Sequence, residues 1–107
     1  MKKAHRARNE LLQMAQDLME EHGWVQGVFK NDSGFCARGA LREARLEMRK
    51  HRLFDSESRE SAFRAAWDAL NAEVFFEGFR TLSAWNDSPR RTKDEVLYLF
   101  ASVHVGG

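Results

Sequence analysis

Phe63-Arg64-Ala65-Ala66-Trp67-Asp68-Ala69-Leu70-Asn71-Ala72-Glu73-Val74 is the stretch whose reading decides the fold. Phe63, Ala66, Trp67, Leu70 and Val74 step by three and four residues, so they form one apolar stripe of an amphipathic helix. A half-buried strand would alternate at every second residue instead. Upstream, Asp55-Ser56-Glu57-Ser58 breaks the pattern, and either serine is a candidate helix cap. Downstream, Phe75, Phe76 and Phe79 surround Gly78, with Leu82 and Trp85 beyond. That segment reads as a continuation, a kink or a short extra helix.

The rest of the chain repeats the helical period. From about Ala4 to Glu21, Leu11, Ala15, Leu18 and His22 share a stripe, joined by Leu12, Met14 and Met19, and Gly23 is a stop. Trp24 to Asp32 reads as irregular or briefly extended, and Asn31-Asp32-Ser33-Gly34 is a turn signal with Ser33 as a cap for the next helix. That second helix is expected from about Phe35 to Arg52, with Cys36, Ala37, Ala40, Leu41, Ala44 and Met48 on its apolar side. Gly39 inside it costs roughly 1 kcal/mol relative to Ala, which a tight crossing by a neighbouring helix would offset. Thr92 and Glu95 stand three apart before Val96, Leu97, Leu99, Phe100 and Val103, the pattern of a capping box at the head of the final helix. Gly106-Gly107 points to a frayed end.

These elements imply a compact all-α bundle of four to five helices. Its expected core is Leu11, Leu18, Leu41, Phe63, Trp67, Leu70, Val96 and Phe100. The chain has 107 residues, room for one domain over 1–107, with residues 1–8 as a basic arm. An apolar share of 43%, with three Trp and eight Phe, argues against disorder. Net charge is +1, so any electrostatic site must come from local patterning. A single cysteine excludes an internal disulfide and fits a reducing cytoplasm. No apolar run approaches the ~20 residues that cross a bilayer. The basic start resembles a signal peptide, but Asn9, Glu10, Gln13, Gln16 and Asp17 interrupt the apolar region that should come after it.

The strongest patterned surface feature is arginine. Arg38, Arg42, Arg45, Arg49 and Arg52 are spaced four, three, four and three apart, a narrow arc beside the apolar side of the second helix. One reading is a phosphate-binding edge for nucleic acid, a nucleotide or an acidic protein surface. The other is a solvated face whose arginines pair with Glu43, Glu47 or acids of the first helix. Trp85-Asn86-Asp87 followed by Arg90-Arg91-Thr92 also has two readings. Trp85 stacks on a base while Arg90 and Arg91 hold phosphate, or Trp85 plugs the core while Asn86, Asp87 and Thr92 satisfy backbone groups. Cys36 sits at a helix start, which favours a thiolate, yet His22, His51 and His104 have no diagnostic spacing to it, and a small buried core residue is the plainer account. No metal site is expected, because there is no second Cys and no His pair at helical spacing. Nothing calls for a cofactor: Walker, dinucleotide and nucleophile-elbow motifs are missing.

Trp24-Val25-Gln26-Gly27, Phe35-Cys36-Ala37-Arg38-Gly39-Ala40-Leu41 with Ala44, and Ala84-Trp85-Asn86-Asp87 with Arg91-Thr92 and Glu95-Val96 resemble a family of small uncharacterised proteins of actinobacteria and their phages. The resemblance spans about Leu11 to Ala101. It implies a cytoplasmic helical domain, phage-encoded in some members, and links Trp24, Cys36, Trp85, Asn86, Asp87 and Thr92 as one spatial cluster. It supplies no activity, cofactor or catalytic residue. The arginine stripe and Phe75-Phe76 are not part of it.

The leading expectation is a non-catalytic binding protein, a phage or prophage accessory factor that docks on a host protein. Its contact residues would be Arg38, Arg42, Arg45, Arg49, Arg52, Trp85, Arg90 and Arg91, since Arg and aromatic residues dominate binding hot spots. The alternative is a nucleotide or nucleic-acid binder, including a nucleotide sponge, on the same residues. A Cys36-dependent enzyme is the third reading.

Overall fold

The computed structural model describes residues 3–105. Five helices carry the fold: α1 (Lys3–His22), α2 (Ala37–Lys50), α3 (Ser56–Phe76), α4 (Leu82–Asn86) and α5 (Lys93–Ser102). Between α1 and α2 lies a minimal antiparallel hairpin, β1 (Lys30–Asn31) and β2 (Gly34–Phe35), pairing Lys30 with Phe35 and Asn31 with Gly34. The architecture is a small, compact all-α bundle, as the helical periods imply.

α1 is the element around which the others pack, lying against α2, α3 and α5. It buries Ala7, Leu11, Leu12, Ala15 and Met19; α2 contributes Ala37, Ala40, Leu41, Ala44 and Met48; α3 contributes Ala62, Ala66, Leu70 and Val74; α5 contributes Val96, Leu99 and Phe100. Small residues on the facing stripes let the helices come close. Five of the eight expected core residues, Leu11, Leu41, Leu70, Val96 and Phe100, are buried, while Leu18, Phe63 and Trp67 pack on the core from its edge. Phe63 and Trp67 lie parallel at 6.5 Å and hold the outer side of α3, roofed by arginines of α2.

Residues 3–8, expected as a basic arm, are the first turns of α1, because Ala7 is buried there. Met1 and Lys2 lie outside the described residues, as do Gly106 and Gly107, where fraying was expected. Arg8 Nη2 donates to Val103 O at 2.9 Å. Asn9 brackets Val105: its Nδ2 donates to the carbonyl at 2.9 Å and its Oδ1 accepts the N–H at 2.7 Å. The two ends of the described chain are thereby stitched together.

Two helix starts differ from the expected ones. Ser33 does not cap α2; its N–H bonds Asn31 Oδ1 at 2.8 Å in the hairpin turn, and the helix begins only after Cys36, whose sulfur accepts Gly39 N–H at 3.3 Å. Neither serine caps α3; Asp55 does, accepting Ser58 N–H at 2.7 Å. After Val74, α3 continues to Phe76 and stops near Gly78 (φ +94°), and the residues beyond form the short extra helix α4, capped by Thr81. The capping box of Thr92 and Glu95 at α5 forms as expected.

Gly39 needs its bareness for a reason other than a helix crossing. A Cβ there would lie 1.9 Å from the carbonyl oxygen of Phe29, so the 24–29 loop, not a neighbouring helix, occupies that space. The same carbonyl accepts Cys36 N–H at 3.0 Å, so the loop is laid directly over the start of α2. The extended character expected within Trp24–Phe29 reduces to a single parallel bridge between Trp24 and Phe35, and the paired strands come just after it.

Candidate binding surfaces

The structure divides the arginine stripe. Arg38 lies over the rings of Phe29 (4.9 Å) and Trp67 (5.4 Å), where a planar cation clamps the loop to α3. Arg45 covers Phe63 at 4.3 Å and pairs with Glu60 of α3. Arg52 stands exposed beyond α2 in the left-handed region (φ +55°). Arg42 and Arg49 are exposed and take no ion pair among the described residues. The acids expected to neutralise them are engaged elsewhere: Glu43 with Lys30 at 3.8 Å, and Glu47 with His51 at 3.2 Å.

Arg42, Arg45 and Arg49 face the start of α3 across a groove of about 610 Å³, completed by Leu46, Ser56, Arg59 and Glu60. Arg59 was not expected to contribute. Its Nη1 bonds Phe54 O at 2.6 Å and Leu53 O at 3.3 Å, which anchors the guanidinium at the groove. Four arginines therefore stand against one glutamate. Leu46, 47% exposed, adds an apolar patch.

The Trp85 loop is built for structure. Trp85 is buried, and its Nε1 donates to Glu77 Oε1 at 3.0 Å. Arg91 covers the indole at 3.8 Å from the ring centroid, donates from Nε to Trp85 O at 2.9 Å and approaches Glu95 at 3.6 Å. Trp85 thus offers no open face to a base, and Arg91 is already spent. Arg90 is exposed and takes no partner among the described residues. Trp85 and Arg91 also border a hollow of about 370 Å³ whose other charged lining residues are Glu73, Glu77, Asp94 and Glu95. That sign of charge repels phosphate.

Asn86 is the hub. It is fully buried and uses both ends of its amide. Oδ1 accepts Trp24 Nε1 at 2.6 Å and Ala37 N–H at 2.9 Å; Nδ2 donates to Val25 O at 3.1 Å and Asp87 Oδ1 at 2.9 Å. Asp87 Oδ1 also accepts Gly27 N–H at 2.9 Å, and Gln26 Nε2 donates to the carbonyls of Asn86 and Ser88. One loop, the start of α2 and the end of α4 are locked through a single side chain. Trp24, Cys36, Trp85, Asn86 and Asp87, linked by the family resemblance, do meet in space, and Thr92 caps the helix next to them.

Cys36 faces a hollow of about 320 Å³ lined by Gly27, Val28, Phe29, Ser83 and Asp87. No histidine lines it: His22 packs edge-on to Phe35, His51 pairs with Glu47, and His104 bonds Gln16. Burial pushes the thiol above its ordinary pKa, and the Asp87 carboxylate adds to this against the opposing N–H groups of Gly39 and Arg38. The expected preference for a thiolate at the helix start is thus reversed. Among the described residues no group of three His, Cys, Asp or Glu side chains is placed to hold a metal ion, and no helix is long and apolar enough to cross a membrane.

The fold and these surfaces define a small helical domain with a locked polar hub and two oppositely charged concavities. Residues 4–104 match the family described as "Family of unknown function (DUF6197)", and the chain belongs to it. No curated protein and no solved structure matches the chain.

Proposed function

We propose that the chain is a non-catalytic binding protein whose contact surface is the arginine groove between α2 and α3, and whose partner presents an acidic polypeptide segment. The observation that carries this reading is the pair Arg42 and Arg49, exposed in a groove with Arg59 and without ion pairs of their own among the described residues. Guanidinium groups take carboxylates two bonds at a time, and exposed Leu46 with the aliphatic arginine stems would cover apolar side chains between the acids. Arg38 and Arg45 act as supports rather than contacts. The resemblance to proteins of actinobacteria and their phages fits a cytoplasmic accessory factor that docks on a host protein.

The nucleic-acid alternative shares the groove, but Trp85, the stacking platform it called for, is buried beneath Arg91. The nucleotide-sponge form has least support, since the Trp85 hollow is lined with carboxylates. Fluorescence anisotropy with a labelled glutamate-rich peptide and a labelled single-stranded oligonucleotide separates these readings. The expected result is saturable peptide binding that Arg42→Gln with Arg49→Gln weakens at least tenfold, and little affinity for the oligonucleotide. Tighter binding to the oligonucleotide, lost through the same substitutions and falling steeply with salt, would overturn the proposal in favour of phosphate recognition.

A further inference from the structure

The arginine groove has a counterpart on the same chain. Its lining carries Arg42, Arg45, Arg49 and Arg59 against Glu60, a formal +3. The hollow beside α5 carries Glu73, Glu77, Asp94 and Glu95 against Arg91, a formal −3. Glu73 and Asp94 take no ion pair among the described residues. The hollow also has a protruding aromatic side chain: Tyr98, which lines it, is 75% exposed. The groove is the larger concavity, about 610 Å³ against 370 Å³. The two surfaces use opposite ends of α3, with Glu60 and Glu73 about 20 Å apart at 1.5 Å per residue.

We propose that the chain associates with a second copy of itself head to tail, the acid–aromatic hollow of one copy against the arginine groove of the next. The groove's three uncompensated cations meet three uncompensated carboxylate charges, and Tyr98 enters among guanidinium groups that favour aromatic faces. The contact joins two different surfaces, so it has no two-fold axis, and every assembly keeps one free groove at one end and one free hollow at the other. The inference rests on the groove accepting carboxylates, as in the docking proposal. A partner's acidic segment and a neighbouring copy then compete for the same arginines, so assembly shields the groove until such a partner displaces the neighbour.

Sedimentation velocity on the intact chain tests this with neutralising substitutions at exposed positions. The wild type is expected to exceed its monomer mass of 12.4 kDa with rising concentration at about 0.01 M salt. It should return to monomer near 1 M, where the Debye length falls from roughly 30 Å to 3 Å. Arg42→Gln with Arg49→Gln, and separately Glu73→Gln with Asp94→Asn, should each stay monomeric. Mixing these two variants should restore one contact and stop at a 1:1 pair, because one retains the hollow and the other the groove. Tyr98→Ala, which keeps every charge, should weaken the wild-type association several-fold. Association persisting in either double variant alone, or a mixture that stays monomeric, would overturn the head-to-tail contact. A wild type that is monomeric at low salt yet binds the glutamate-rich peptide would overturn self-association and leave the docking reading standing.

Discussion

Replacing Asn86 with Ala should be the most damaging single truncation of a polar side chain in this protein. The Asn86 amide is the acceptor for Ala37 N–H and Trp24 Nε1 and a donor to Val25 O; Asn86 itself and the Ala37 bond are buried, and the bonds to Trp24 and Val25 are part-buried. Alanine leaves those three groups without their partner, the Ala37 N–H most deeply. At about 1–3 kcal/mol for each buried group left unsatisfied, with partial relaxation, the loss comes to roughly 3–5 kcal/mol. That is a large part of the ~5–15 kcal/mol that holds a typical domain together. In urea, with a slope of about 1.5 kcal/mol per molar, the unfolding midpoint should fall by roughly 2–3 M. Asn86→Asp is the sharper control. It keeps the accepting oxygen but puts a second acceptor where Nδ2 now donates, facing Val25 O and the Asp87 carboxylate, so it should not rescue stability at neutral pH. A midpoint shift worth less than about 1 kcal/mol for Asn86→Ala, or near-wild-type stability for Asn86→Asp, would refute the assignment of this residue as the hub.

Gly39→Ala should destabilise by about 2 kcal/mol or more despite the ~1 kcal/mol gain in helix propensity, because the new Cβ meets the Phe29 carbonyl at 1.9 Å; an unchanged or raised melting temperature by calorimetry would sink that reasoning. The folded state holds the Cys36 proton to higher pH than the unfolded chain does, so its stabilising contribution is full below the unfolded thiol pKa and declines as pH rises above about 8.5; the wild type should lose stability relative to Cys36→Ser from pH 8 to 10, and parallel curves would contradict this. The native thiol should also react slowly with a disulfide probe at pH 7.5, and labelling at the rate of the unfolded chain would show that burial does not protect it. Thr92→Ala removes one half of the capping box and should cost about 1 kcal/mol by urea denaturation, with no effect on peptide binding at the groove.

The helices could be read from the sequence because their apolar residues repeat at a period that only one backbone geometry satisfies. Phe63 to Val74, and Thr92 with Glu95, each carry their instruction within a dozen residues. The caps at Cys36 and Asp55 were harder because several adjacent residues were chemically able to do the job, and the choice depended on where the preceding turn ended. Gly39 shows the limit of local reasoning. Its cost in the helix signalled a close approach, but the approaching atom belongs to a loop ten residues away in sequence. The arginine spacing put these side chains along one side of α2, yet it could not tell Arg42 and Arg49 from Arg38 and Arg45. That distinction is made by Phe29, Trp67, Phe63 and Glu60, which reach α2 only in the folded chain. Arg59, outside the stripe, and the carboxylates around Tyr98 left no periodic trace, because they converge from α3 and α5.

The stitching of Arg8 and Asn9 to Val103 and Val105 has a consequence for how the molecule is made. The helix that every large element packs against is finished by backbone atoms almost a hundred positions downstream. A ribosome therefore releases α1, α2 and α3 well before α1 can acquire its last bonds, and the nascent chain waits with the first turns of α1 incompletely held. Closure waits for residues 103–105, long after α1 itself has been made.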